Sequence, residues 1–158
     1  MSLDGEILVT GVSSGLGKTV TEQFPSCIAL NRENRNEVIS MCRNKSLKAI
    51  IHCAFNSSNE INDHYKYLDD NILLTNDLLD LKYDKFVYIS SIGVYMDDCN
   101  YKTFKLLSES LVKSKSENNL ILRSSAILGK NMRYNSLLKI LKENNLKLTL
   151  SKNSVFNY

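Results

Sequence analysis

The chain has 158 residues, 43% apolar and 23% charged, which suits one globular domain with a real core and excludes a disordered or fibrous protein. Its net charge of +3, from 20 Lys+Arg against 17 Asp+Glu spread along the sequence, is no nucleic-acid footprint. No apolar run approaches the roughly 18 residues of a membrane span, and the N-terminus lacks a basic-then-apolar signal segment. Cys27, Cys42, Cys53 and Cys99 lie far apart without a C-x-x-C pair, so neither a zinc site nor a disulfide framework is indicated. The expectation is a single domain over 1–158, soluble and cytoplasmic, without a metal centre.

Short apolar runs alternate with helix-like segments along the chain. Ile7-Leu8-Val9 stops at Thr10-Gly11 and reads as a strand ended by a turn. A helix over 15–24 follows, halted by Pro25, the single proline. Residues 27–30 form a second strand, 35–44 a short helix, and the continuous apolar run 49–54 a strand covered on both faces. Over 61–81 the spacing of Tyr65, Leu68, Ile72 and Leu79 is helical. Phe86-Val87-Tyr88-Ile89 is a strand ending at Ser90-Ser91, and 101–115 a helix with Phe104, Leu107 and Leu111 on one stripe. A strand over 120–122, a helix over 137–142 and a sixth strand over 146–150 complete the pattern. Strands alternating with crossover helices predict an α/β fold with a doubly wound parallel sheet. Ligands of such sheets sit beyond the carboxyl ends of the strands, so chemistry is sought there.

The first strand runs into Thr10-Gly11-Val12-Ser13-Ser14-Gly15-Leu16-Gly17-Lys18-Thr19. Glycines here let backbone N–H groups at a helix N-terminus approach a phosphate closely. Two ligand readings compete. Gly17-Lys18-Thr19 resembles the end of a nucleoside-triphosphate loop, with the spacing of the variant loop of dethiobiotin synthetases. That reading wants a strand-terminal Asp for magnesium, and the later strands end at His52-Cys53-Ala54 and Ser90-Ser91. The other reading, a dinucleotide turn, rests on T-G-x-x-x-G-x-G, which resembles the signature of the short-chain dehydrogenase/reductase superfamily.

The rest of that pattern follows in order. Tyr101 and Lys105 make a Y-x-x-x-K at the start of the helix after the Ser91-terminated strand. The i,i+4 spacing places both on one helix face. A phenol with an ordinary pKa of about 10 is a poor acid or base near neutrality, and a lysine cation one turn away favours phenolate. Ser91 is placed to bind the reacting oxygen. Further stretches resemble the extended branch, the NAD-dependent epimerase/dehydratase family: Ile51-His52-Cys53-Ala54, Asn71-Ile72 with Thr75, Asn76 and Leu79, Val87–Tyr95, and Leu122–Gly129. The resemblance covers about residues 6–130.

This resemblance implies a Rossmann sheet, a nicotinamide dinucleotide and Tyr101 as acid/base, with Lys105 holding the ribose hydroxyls. It places Gly11, Ser13, Ser14, Gly15, Leu16 and Gly17 along the pyrophosphate. Ala54 and Phe55 fall on the adenosine side, Asn71 near the ribose, and Ser124 and Ser125 at the nicotinamide end. His52 is expected to pack at its strand end rather than to catalyse. The second strand ends in Asn31-Arg32 where NAD-binding members carry an acid, so NADP(H) is favoured over NAD(H). Only about sixteen residues separate Arg32 from Ala49, a shortened insert like that of reductases completing deoxysugar nucleotides. Ile92-Gly93 stand where dehydratases carry Asp-Glu, which disfavours dehydration. The family's C-terminal substrate region is short or missing. The implied activity is an epimerase or reductase acting on a nucleotide-sugar-like substrate, with a homodimer through 61–81 and 101–116 permitted. A dinucleotide-binding sensor or scaffold without catalysis is the alternative.

Overall fold

A computed structural model describes residues 6–58, 63–96 and 99–133, with 138 and 142. The strand expected over 146–150 lies outside the described residues, and of the helix expected over 137–142 only 138 and 142 are described, both helical. Five parallel strands form the main sheet in the order β2 (Ile28–Leu30), β1 (Ile7–Thr10), β4 (Ala49–His52), β6 (Phe86–Ser91), β7 (Asn119–Ser124). A two-stranded ribbon, β3 (Ser46–Leu47) with β5 (Lys82–Tyr83), stands apart. Helix α1 (Gly15–Gln23) joins β1 to β2, and α2 (Arg35–Cys42) leads back towards β4. Chain order reverses at β1, so a crevice opens between the carboxyl ends of β1 and β4, where Thr10 pairs with His52. Right-handed crossovers then put α1 on the face opposite α2. The shortened insert leaves β2 as the outer strand on its side of the described sheet.

The core lies on the α2 face: Leu8, Ile50, Phe86 and Tyr88 of the sheet meet Val38, Ile39, Leu74, Leu78 and Val112. Burial of a Leu or Phe side chain contributes about 1.5–3 kcal/mol, so this cluster is the main source of stability.

Two helices depart from their expected faces. The 61–81 segment is α3 (His64–Leu68), a π-turn over Asp69–Leu73, and α4 (Leu74–Leu79). The extra residue per turn rotates the downstream face. Tyr65, expected inside, is 72% exposed, while Tyr67, Asn71, Leu74 and Thr75 are buried. Helix α5 (Asn100–Lys115) buries Lys105, Ser108, Glu109 and Val112 and exposes Leu107. A mainly polar inward face on a 16-residue helix is the mark of a site built into it.

Candidate active site

The site begins with Thr10. Its hydroxyl oxygen accepts the N–H groups of Cys53 at 3.1 Å and Ala54 at 3.0 Å. Its one proton therefore goes to Nδ1 of His52 at 2.8 Å. His52 then carries its own proton on Nε2, which donates to Thr75 Oγ1 at 2.9 Å, and Thr75 donates to the Asn71 carbonyl at 2.7 Å. Only a neutral imidazole satisfies this chain, and burial pulls the His52 pKa down to about 3. His52 is thus a strand-end packing residue, as expected, and it ties the tip of β1 to that of β4 and both to α4.

The glycine turn fits against this frame. Gly11 has φ +73°, open to glycine at little cost, and a Cβ on it would stand 2.8 Å from the Ala54 nitrogen. A Cβ on Gly17 would stand 2.4 Å from the Gly11 carbonyl oxygen, so this glycine lets α1 pack directly on the turn. Helix α1 has no acid in its first turn and no cap from the Ser14 side chain. The Asn131 carbonyl takes the Gly15 N–H at 2.9 Å, and among the described residues no negative charge meets the positive end of the helix. Lys18, central to the triphosphate reading, is exposed and lines neither cavity described below.

Two cavities flank the turn. The first, of about 380 Å³, is lined by Ser13, Asn31, Arg32, Arg35, Ala54 and Asp70 among others. The second, of about 620 Å³, is lined by Gly15, Leu16, Gly17, Ser91, Tyr101, Lys105, Ser124 and Ser125 among others. Gly11, Ser14, Phe55 and Arg133 belong to both. Asn71 departs from the set, because it is 1% exposed and lines neither cavity. Both ends of its amide are taken by the backbone of Asn56, at 2.7 and 3.1 Å, so it pins the loop after β4 from behind.

At the first cavity, Asn31 closes an Asx turn by accepting the N–H groups of Glu33 and Asn34. Arg32 reaches Asp70 at 3.0 Å, and Arg35 bridges Asp69 at 2.7 Å and Asp77 at 2.8 Å. A carboxylate does stand here, supplied by the π-turn rather than by the end of β2.

At the second cavity, Ser91 Oγ and Tyr101 Cε1 each lie 3.2 Å from the point where a Gly93 Cβ would sit. Serine and tyrosine therefore face one small volume, at most about twice that distance apart. The Ser91 hydroxyl oxygen accepts the Gly93 N–H at 3.0 Å and keeps its proton for another partner. Lys105 is 4% exposed; its Nζ donates to the Ile89 carbonyl at 2.8 Å and lies 4.0 Å from the Phe55 ring centroid. Burial pulls its pKa down to about 7. Phe55, expected on the adenosine side, also packs edge-on against Tyr101 at 5.1 Å. Cys53 lines this cavity with its thiol pushed by burial up to about 12, which leaves it protonated and without a nucleophile's role.

Behind the site lies a network that sequence reasoning missed. Glu109, 2% exposed, accepts Ser90 Oγ at 2.6 Å and Arg123 Nε and Nη2 at 2.9 and 2.6 Å. The Arg123 hydrogen bonds hold its carboxyl below the usual range. Arg123 also donates to the Tyr95 hydroxyl. The network links the neighbours of Ser91 and Ser124 to the residue one turn beyond Lys105. One signal was in the sequence: Tyr101, Lys105 and Glu109 recur at i,i+4. Asp70 and Arg133 gave none.

The crevice fits a dinucleotide: two cavities of ligand size joined at a glycine turn, a helix N-terminus without a competing acid, and hydroxyl donors at one end. No family model matches the sequence, and no curated protein matches it. Solved structures do share the fold. A UDP-glucuronic acid 4-epimerase from Bacillus cereus in complex with NAD superposes over 81% of this chain and 58% of its own, with TM-score 0.66 and 20% identity. A dTDP-4-dehydrorhamnose reductase from Bacillus anthracis in complex with NADP matches over 87% and 58%, with TM-score 0.67 and 19% identity. The enzyme WbmH of Bordetella bronchiseptica in complex with NAD+ matches over 87% and 62%, with TM-score 0.69 and 12% identity. At these identities the shared property is the fold, and the Rossmann-type architecture expected from the sequence is the one found. The chain spans less than two thirds of the length of each of these proteins.

Proposed function

We propose that the chain binds a nicotinamide dinucleotide along the crevice and acts as an epimerase or reductase on a carbonyl or carbinol carbon of a nucleotide-sugar-like substrate. The observation that carries this reading is the convergence of Ser91, Tyr101 and Lys105 on one cavity that continues into the glycine turn. In it, Gly11, Leu16 and Gly17 hold the diphosphate beside Gly15, whose N–H stays with the Asn131 carbonyl, and the adenosine half occupies the first cavity. A bound nicotinamide supplies or accepts the hydride. The chain handles the proton. Tyr101 gives it to, or takes it from, the substrate oxygen, and the Ser91 hydroxyl, its lone pair committed to Gly93, donates to that same oxygen and orients it. Lys105 fixes the ribose beside Tyr101 and places a cation near the developing phenolate.

Arg32 and Arg35 at the first cavity favour a 2′-phosphate, hence NADP(H) over NAD(H), although Asp70 must yield Arg32 to it. The test is a thermal-shift series with NADP(H), NAD(H) and a nucleotide-sugar panel, followed by turnover assays. Stabilisation by NADP(H) with turnover of a nucleotide sugar is expected. Stabilisation without turnover on any member of the panel supports the sensor alternative instead. Protection by ATP alone removes the dinucleotide reading.

A further inference from the structure

Residues 129–133 cross over the glycine turn and are fastened there by Asn131. Its carbonyl accepts the Gly15 N–H at 2.9 Å. Its side-chain amide donates to Glu22 Oε2 at 2.8 Å and lies 3.3 Å from Thr19 Oγ1. All three partners belong to α1. The Met132 N–H turns back to the Gly129 carbonyl at 3.1 Å, and the next residue, Arg133, is thereby delivered onto the turn. Its Cγ lies 3.5 Å from the position of a Gly15 Cβ. Its Nε is 3.5 Å from Ser14 Oγ, and one terminal nitrogen is 3.3 Å from Ser57 Oγ.

These contacts are long for hydrogen bonds, and both partners are neutral hydroxyls. Arg32, Arg35 and Arg123 each hold a carboxylate, whereas Arg133 holds none among the described residues. It is exposed, yet it lines both cavities, at the junction that any ligand spanning them must cross. A guanidinium fork facing the amides of a glycine turn recognises a pair of linked phosphates, because each donor can meet a separate anionic oxygen.

We propose that Arg133 closes over the diphosphate of the bound dinucleotide and forms the wall opposite the N-terminus of α1. This role rests on the dinucleotide reading above. It makes the segment after β7 part of the cofactor site and gives that segment a charge of its own to contribute. Arg133 is also close enough to Lys105 to disfavour its ammonium, and a diphosphate beside both cations relieves that repulsion.

The test is calorimetric titration of wild type, Arg133→Ala and Arg133→Lys with NADP(H), NAD(H) and adenosine 2′-monophosphate, at low and high salt. Arg133→Ala is expected to weaken dinucleotide binding by about 10- to 100-fold and to flatten its salt dependence. Adenosine 2′-monophosphate, which has no diphosphate, should bind within about twofold of wild type, and Arg133→Lys should recover part of the loss. Because Arg133 is exposed, the melting temperature without ligand should not move. Unchanged dinucleotide affinity in Arg133→Ala, or an equal loss for adenosine 2′-monophosphate, overturns this role alone. A wild-type chain that binds neither dinucleotide overturns the reading beneath it as well.

Discussion

The first cavity is edged by ion pairs in which water reaches at least one partner: Arg32 is 67% exposed beside the more buried Asp70, and the half-buried Arg35 shares Asp69 and Asp77, each more than a third exposed. The second is backed by charges that water does not reach, Lys105 at 4% and Glu109 at 2%. The physics of the two is opposite. An exposed pair is worth about 0–1 kcal/mol and changes partners readily. A buried charge resists any change of partner, since losing one leaves an ion uncompensated in low dielectric. The first cavity is thus suited to exchanging an ion pair for a ligand, and the second to holding catalytic groups in fixed places.

The contrast breaks first at Tyr101. Tyr101→Phe should lower turnover by about 10²- to 10⁴-fold while dinucleotide affinity stays within a few-fold, read by steady-state kinetics and titration. Retained turnover would remove the phenol from the mechanism.

Lys105 sharpens the contrast through pH. Its folded value of about 7 lies below the unfolded value of about 10.4, so between the two the unfolded chain holds a proton that the folded chain lacks. Stability must therefore rise with pH above about 7 from this group, by up to a few kcal/mol, and be insensitive to it below. The difference between wild type and Lys105→Met in denaturant unfolding across pH 6–10 isolates the effect, because Cys53 and Tyr88, both raised by burial, oppose it in both proteins. A pH-independent difference would show that the ammonium is solvated.

Next comes Glu109→Gln, which leaves Arg123 half-satisfied and should cost about 2–4 kcal/mol in the same assay. The smallest effect belongs to the first cavity. Arg32→Ala should change stability by less than about 0.5 kcal/mol yet weaken NADP(H) by about tenfold with little change for NAD(H). Equal weakening of both cofactors would show that Arg32 does not read the 2′-phosphate.

Local signals made the sheet legible. Each strand is a short apolar run closed by a turn, and that pattern needs no tertiary partner to be recognised. The glycine turn, Ser91, Tyr101 and Lys105 were singled out by fixed spacing, and the fold brings them to one cavity. What failed was orientation. Asn71 was expected beside the ribose, but its amide is spent on the Asn56 backbone. Of the stripe on α5, Phe104 packs against Tyr67 and Leu111 against the core, but Leu107 is exposed. The periodic apolar pattern gave no sign of the buried Lys105 and Glu109, whose partners come from β6 and β7. Asp70 and Arg133 reach the site from segments distant in sequence, and no residue near them announces it.

The π-turn at Asp69–Leu73 carries a last consequence. Widening the coil there leaves the Asn71 carbonyl to accept the Thr75 hydroxyl proton at 2.7 Å and to share that of Ser108, at 3.2 Å, with the Phe104 carbonyl at 2.9 Å, so it acts as a rivet between α4 and α5. Rewinding this stretch as an unbroken α-helix, with every residue kept, would turn everything downstream by about 100°. Leu74 and Leu78 would then swing out of the core, and Asp77 would leave Arg35. A tidier helix would undo the architecture it belongs to.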